Sequence, residues 1–274
     1  MIVGATAGAT RYRLDDLRRF AAALATKLGV TPPRASALAS QLLWFDAAGA
    51  GSHGIGSLPA WLARIERGEV DPKAEGRAHS EHAGTALFDG QRGLAPLILA
   101  RAGGIAAEKA RDVGLGIVRV ANLGPSGPAA PIAAELAIGP FMAAIVGPGP
   151  SWTVAVPMTQ GLPAVHDSSM EEISDGPDGL GPWSPWLKAL AGPDGWAILT
   201  LAVAALEPLP RFHDRVAASI GDGPEAPGRL SPVPWDARRR EARERGVALD
   251  PAAEAGLRGW SERLEVPWPP LQDG

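Results

Sequence analysis

The chain has 274 residues, 46% of them hydrophobic and 20% charged, with a formal net charge of −4. That length can bury a substantial core as one large domain or two, and the mildly acidic balance offers no basic field for nucleic acid. There are no cysteines, which excludes thiolate nucleophiles, thiolate metal sites and disulfides.

Residues 1–13 lack the charged start and apolar run of a signal peptide, and no apolar stretch of about 18 residues is present to span a membrane. The expected location is cytoplasmic. In chain order, Leu14, Leu17, Phe20, Ala21, Leu24 and Leu28 recur at helical spacing, with Gly29 placed as a C-terminal stop. Thr31 before Pro32 predicts an N-cap and a helix to about Ala48, and Pro59 opens a short helix to Arg67. His79 and His82 fall in a polar stretch and read as surface residues. Thr85–Asp89 reads as a strand, Leu94–Asp112 as a helix and Gly116–Ala121 as a β-branched strand. Pro131–Ala137 is helical, and Phe141–Val146 and Trp152–Val156 are apolar strands separated by Gly147-Pro148-Gly149-Pro150. Ala197–Leu206 is apolar all round and is expected to be a buried helix. Asp236–Arg245 and Pro251–Leu264, the latter capped by Asp250, close the chain. The class is α/β with mixed connectivity.

Residues 46–54 are the most informative: Asp46, Gly49, Ser52, His53 and Gly54 form D-x-x-G-x-x-S-H-G, followed by Ile55. Leu58-Pro59-Ala60-Trp61, Gly68, Gly93-Leu94-Ala95-Pro96, the G-x-G-[IV]-V-x-V run from Gly114 to Val120, His166-Asp167-Ser168-Ser169 and Gly192-Pro193-Asp194-Gly195-Trp196 follow in order. Together they resemble the malate/L-lactate dehydrogenase family, the non-Rossmann NAD(P)-dependent 2-hydroxyacid dehydrogenases. The resemblance runs from about residue 13 to 267. It implies a mixed sheet with packed terminal helices, so residues 1–84 are read as an N-terminal helical segment. Residues 85–215 are read as the central sheet domain, and 216–274 as C-terminal helices packing with the N-terminal segment.

Three positions depart from the family pattern. The arginine that grips the substrate carboxylate is Ser57, the general acid/base histidine aligns with Pro125, and the cofactor-contacting lysine is Asp194. The cofactor-cleft loops are shortened at 147–151, in the Gly/Pro-rich run 174–182 and between His213 and Pro232. A serine hydroxyl does not reproduce a guanidinium fork, and an acid where a phosphate or ribose was held opposes anions. No G-x-G-x-x-G supplies another nucleotide site. These losses predict no cofactor: neither NADH nor NADPH is expected to bind. No His/Asp/Glu spacing suggests a metal.

His53, with Ser52 beside it, and Asp167 survive as polar groups that the resemblance places in one cleft. A carboxylate near an imidazole makes a poised acid/base; helix capping is the structural alternative. Ser57, Asn122, Ser126, Trp152 and Trp196 are candidate substrate contacts. Nine tryptophans stand against one tyrosine, and Trp152, Trp183, Trp186 and Trp196 cluster where the cleft loops are short, either as core or as a pocket for a bulky substrate. Three functions stay open. One is a dehydrogenase scaffold repurposed for non-redox isomerisation, elimination or cyclisation of a small organic substrate, in specialised biosynthesis. Another is an NAD(P)-dependent oxidoreductase of 2-oxo or 2-hydroxy acids or imines, using relocated groups such as Lys188 or Arg119. The third is a catalytically silent binding or scaffold subunit. The resemblance implies a homodimer through the terminal helices.

Overall fold

The computed structural model describes residues 10–124, 127–148, 151–158, 162–168, 189–192, 194–220 and 229–272. The chain divides into two compact units, Met1–Lys73 with Asp236–Gly274, and Ala74–Trp235. The division differs from the expected bounds at 84 and 216, because Arg77–Glu81, Leu209–Ile220 and Arg229–Leu230 fall in the sheet-bearing unit.

In the terminal unit, α1 (Leu14–Lys27) packs against α2 (Pro32–Ala48), with α3 (Leu58–Glu66) and the C-terminal helix Pro251–Leu264 alongside. Leu17, Phe20, Ala21 and Leu24 of α1 and Leu38, Leu42, Leu43 and Phe45 of α2 form the buried stripes that the spacing predicted. Segments far apart in the sequence are tied together here. Strand β1 (Arg11–Tyr12) pairs antiparallel with Val247–Ala248. Buried Tyr12 meets Trp268 edge-on, with centroids 5.8 Å apart, and its hydroxyl donates to Glu254 Oε1 at 3.2 Å. Asp250 accepts from the amides of Ala252 and Ala253 at 2.9 and 2.8 Å, the N-cap that its position suggested.

In the sheet unit, β2 (Arg77–Glu81), β3 (Thr85–Asp89), β4 (Leu115–Ala121), β5 (Phe141–Val146), β6 (Trp152–Val156), β7 (Ala164–Asp167), β8 (Trp196–Ala202) and β9 (Arg229–Leu230) form one eight-stranded mixed sheet in the order β2-β3-β4-β8-β5-β6-β7-β9. β3 and β4 pair in parallel around the crossover helix α4 (Ala95–Val113). The other pairs are antiparallel. Helices α4 and α5 (Ala130–Ile138) cover one face. Close contact between layers is fixed by Gly116, where a Cβ would lie 1.9 Å from the Ala106 carbonyl oxygen. Thr200 Oγ1 donates to that same oxygen at 2.7 Å.

Ala197–Leu206 is not a helix. Residues up to Ala202 complete β8 at the centre of the sheet, and Val203–Ala205 make a 3-10 turn. A strand flanked by neighbours and covered in part by helices is apolar on both faces, so its pattern matches that of a buried helix. Strand β2 gives no sequence signal for the opposite reason: it is a polar edge strand with no buried stripe. His79 and His82 are exposed, as expected of surface residues.

Candidate active site

The His53 segment is built at the C-terminal end of α2. Gly49 stops that helix in the left-handed region at φ 84°, and Gly51–His53 and Ile55–Ser57 form two short 3-10 turns. The Asp46 carboxylate reaches across and accepts the Ile55 amide at 2.7 Å. Gly54 lies directly on that carboxyl: a Cβ there would come within 2.1 Å of Oδ1. The D-x-x-G-x-x-S-H-G pattern is therefore a folding motif in which the aspartate anchors and the last glycine admits it. Burial pushes the Asp46 carboxyl up to about 7; the Ile55 hydrogen bond opposes the rise and the Asp250 charge adds to it.

His53 is left half-exposed on this turn, edge-on to Phe45 with centroids 5.7 Å apart. Ser52 is exposed and its side chain caps no helix. The Ser57 hydroxyl donates into its own turn, to the Gly54 carbonyl at 2.7 Å. Residues 46–58 contain no lysine or arginine. A cation arrives from far along the chain instead. Arg238 donates through Nε to the Ala48 carbonyl at 2.7 Å, and its side chain passes over Gly49, where a Cβ would meet Cδ at 2.8 Å. Gly56 in turn seats the C-terminal helix, with its Cβ position 2.8 Å from that of Ala253. Sequence reading missed Arg238 because 190 residues separate it from its partner.

Asp167 belongs to the sheet unit and is the last residue of β7. It is 1% exposed, and Thr153 Oγ1, its cross-strand partner, donates to its Oδ2 at 2.6 Å. Both point to the side on which α5 packs against β6 and β7. That burial leaves Asp167 short of the solvent access that an acid/base partner for His53 requires.

The other candidates fall as follows. Asn122, in the left-handed region at φ 49°, donates to Asp89 Oδ1 at 3.2 Å and links the ends of β3 and β4. Trp196 is 2% exposed and lies against Gly147, where a Cβ would touch the indole at 2.6 Å. Trp152 is 7% exposed and stacks on His166 with centroids 4.8 Å apart. Both indoles fill the core and present no open surface. Pro125, Ser126, Ser169, Trp183, Trp186, Lys188 and the run 174–182 lie outside the described residues. Among the described residues, no group of three or more His, Asp or Glu side chains is placed to hold a metal ion, and no helix is long and apolar enough to cross a membrane.

The loop before β8 contains Asp194, which is exposed. Arg119 of β4 donates through Nε to the Ala191 carbonyl at 3.1 Å, and its guanidinium lies over Gly192, where a Cβ would sit 2.5 Å from Nη2.

The malate/L-lactate dehydrogenase family model matches residues 12–166, more than half of the chain. The L-sulfolactate dehydrogenase of Methanocaldococcus jannaschii is 33% identical over 96 residues, covering 35% of this chain and 28% of that protein; the matched stretch spans less than a third of the curated relatives. The structure of malate dehydrogenase from Pyrococcus horikoshii superposes with a TM-score of 0.79 at 19% identity, covering 96% of this chain and 97% of that one. The delta1-piperideine-2-carboxylate reductase of Pseudomonas syringae gives 0.77 at 16% identity, covering 91% and 99%.

These matches overturn the expectation that the chain takes no cofactor, since the matched family and the curated relatives are dehydrogenases and that chemistry needs a hydride carrier, NAD(P) in this family. Asp194, expected to oppose anions, is exposed, where solvent and salt screen its charge. At this loop Asp194 is exposed and the Arg119 guanidinium lies over Gly192, a donor of the chemistry that a phosphate group of NAD(P) would need.

Proposed function

Because the chain belongs to the malate/L-lactate dehydrogenase family, we propose that it is an NAD(P)-linked oxidoreductase acting on a small 2-oxo or 2-hydroxy acid or a cyclic imine. One observation carries this reading: the Asp46–Ile55 hydrogen bond and the seat of Gly54 keep the His53 turn folded and His53 accessible. When bound, the nicotinamide supplies or accepts the hydride. His53 moves the proton at the substrate oxygen or nitrogen. The missing arginine at position 57 alters how the substrate's carboxylate is held, so substrate preference departs from that of the named relatives. Non-redox chemistry by His53 with Asp167 is not adopted, because that carboxylate is buried on Thr153. The assembly we propose is a homodimer, checked by light scattering.

The test is a panel of 2-oxo acids and cyclic imino acids with NADH and NADPH, followed by nicotinamide absorbance. We expect turnover with at least one substrate, and a loss of about 100-fold or more in His53→Gln. An unchanged His53→Gln enzyme would remove His53 from the chemistry. Nucleotide binding without turnover across the panel would favour the silent-subunit reading, to which the absence of a cation on residues 46–58 lends its support.

A further inference from the structure

We propose that Arg119 binds a phosphate of the nicotinamide dinucleotide, a role that rests on the cofactor reading above. Strands β3, β4, β8, β5 and β6 contain one basic residue between them, and it is Arg119. Strand pairing puts it in register with Leu87 on one side and Ala197 on the other. It therefore projects on the face of the sheet opposite Val118, Val120 and the α4 layer. Ile117 and Leu199, half-exposed on the same face, and Leu87, 45% exposed, give the guanidinium an apolar floor.

The side chain is held. Its Nε–H is fixed on the Ala191 carbonyl, and Gly192, in the left-handed region at φ 83°, leaves the space that the guanidinium occupies. Among the described residues no carboxylate pairs with it, and it is exposed. An arginine fixed in place yet lacking an anionic partner has lost rotamer entropy before any ligand arrives, which favours a planar, doubly hydrogen-bonded contact with phosphate oxygens. An apolar floor beside that fork suits a ligand carrying both a flat ring and phosphates. The Arg119 guanidinium over Gly192 thus offers a positive charge to the loop that carries Asp194.

The test is direct titration of the full chain with NADH and NADPH by nicotinamide fluorescence, comparing wild type with Arg119→Gln, Arg119→Lys and the distant control Arg101→Gln. The Arg119→Gln variant should bind at least tenfold more weakly with its unfolding midpoint unchanged. Arg119→Lys should recover only part, having the charge without the fork. Competition by adenosine 2′,5′-bisphosphate against ADP identifies which phosphate is held, since only the held one loses its effect in Arg119→Gln. Wild type that binds neither nucleotide would sink the cofactor reading itself. Wild type that binds, with Arg119→Gln within twofold of it, would overturn this inference alone.

Discussion

The turn around His53 and the loop around Asp194 both carry a family pattern, but they have kept different parts of it. At the turn, Asp46, Gly54 and Ile55 hold one another through a 2.7 Å hydrogen bond and a contact that admits no Cβ. At the loop, Gly192 and Gly195 remain while Asp194, one of the two residues between them, is an exposed acid. The glycines persist in both because the backbone needs them: Gly192 has φ 83°, and a Cβ on Gly195 would lie 2.2 Å from the Ala191 carbonyl. The side chains that differ, Ser57 and Asp194, are those whose family partners would be ligands. Residues that fold the site are constrained by the chain itself, and residues that hold a ligand are constrained only by which ligand it is.

The comparison breaks first at Gly54. Replacing it with alanine drives a methyl into the Asp46 carboxyl, and overpacking of that kind costs about 3 kcal/mol. Urea unfolding should show the loss, and an alanine variant as stable as wild type would mean the carboxyl does not occupy that seat.

The next effect depends on pH. The folded-state pKa of Asp46 lies above its ordinary value of 3.8, at about 7, so the folded chain binds this proton more tightly than the unfolded chain does. Its contribution to stability is complete below the ordinary value and is lost as pH rises through the folded one. Asp46→Asn removes that titration. The stability difference between variant and wild type should shift toward the variant by up to about 4 kcal/mol between pH 4 and 8, read from unfolding midpoints. A difference that stays flat with pH would say that the carboxyl is not desolvated.

Asp250→Ala should cost about 1 kcal/mol through the lost cap and should also lower the Asp46 titration, because the two charges oppose each other. The smallest effect belongs to Asp194→Asn. An exposed charge is weakly coupled, so nucleotide affinity should change by less than about threefold; a change of 100-fold would restore the view of Asp194 as a barrier.

Much of this architecture was legible in the sequence where punctuation and periodicity agree. The strands Thr85–Asp89, Phe141–Val146 and Trp152–Val156 and the Asp250 cap are where turn residues and apolar runs put them. The eighth strand was not, since a run apolar on both faces does not reveal its period. The turn at His53 was legible as a pattern, but the reason for Asp46, a carboxylate buried beneath a glycine, needed coordinates. The face that Asp167 takes follows from its pairing with Thr153, and the clasp on Arg119 follows from how Ala191 meets β4. Strand register of that kind does not appear in local sequence.

The central claim is that the altered loop still admits a nicotinamide dinucleotide while the His53 turn stays intact. Calorimetric titration of the wild-type chain with NADPH and NADH tests it most directly. The account predicts a dissociation constant in the micromolar range for at least one of them. No heat from either nucleotide at millimolar concentration, with the chain folded, would contradict it.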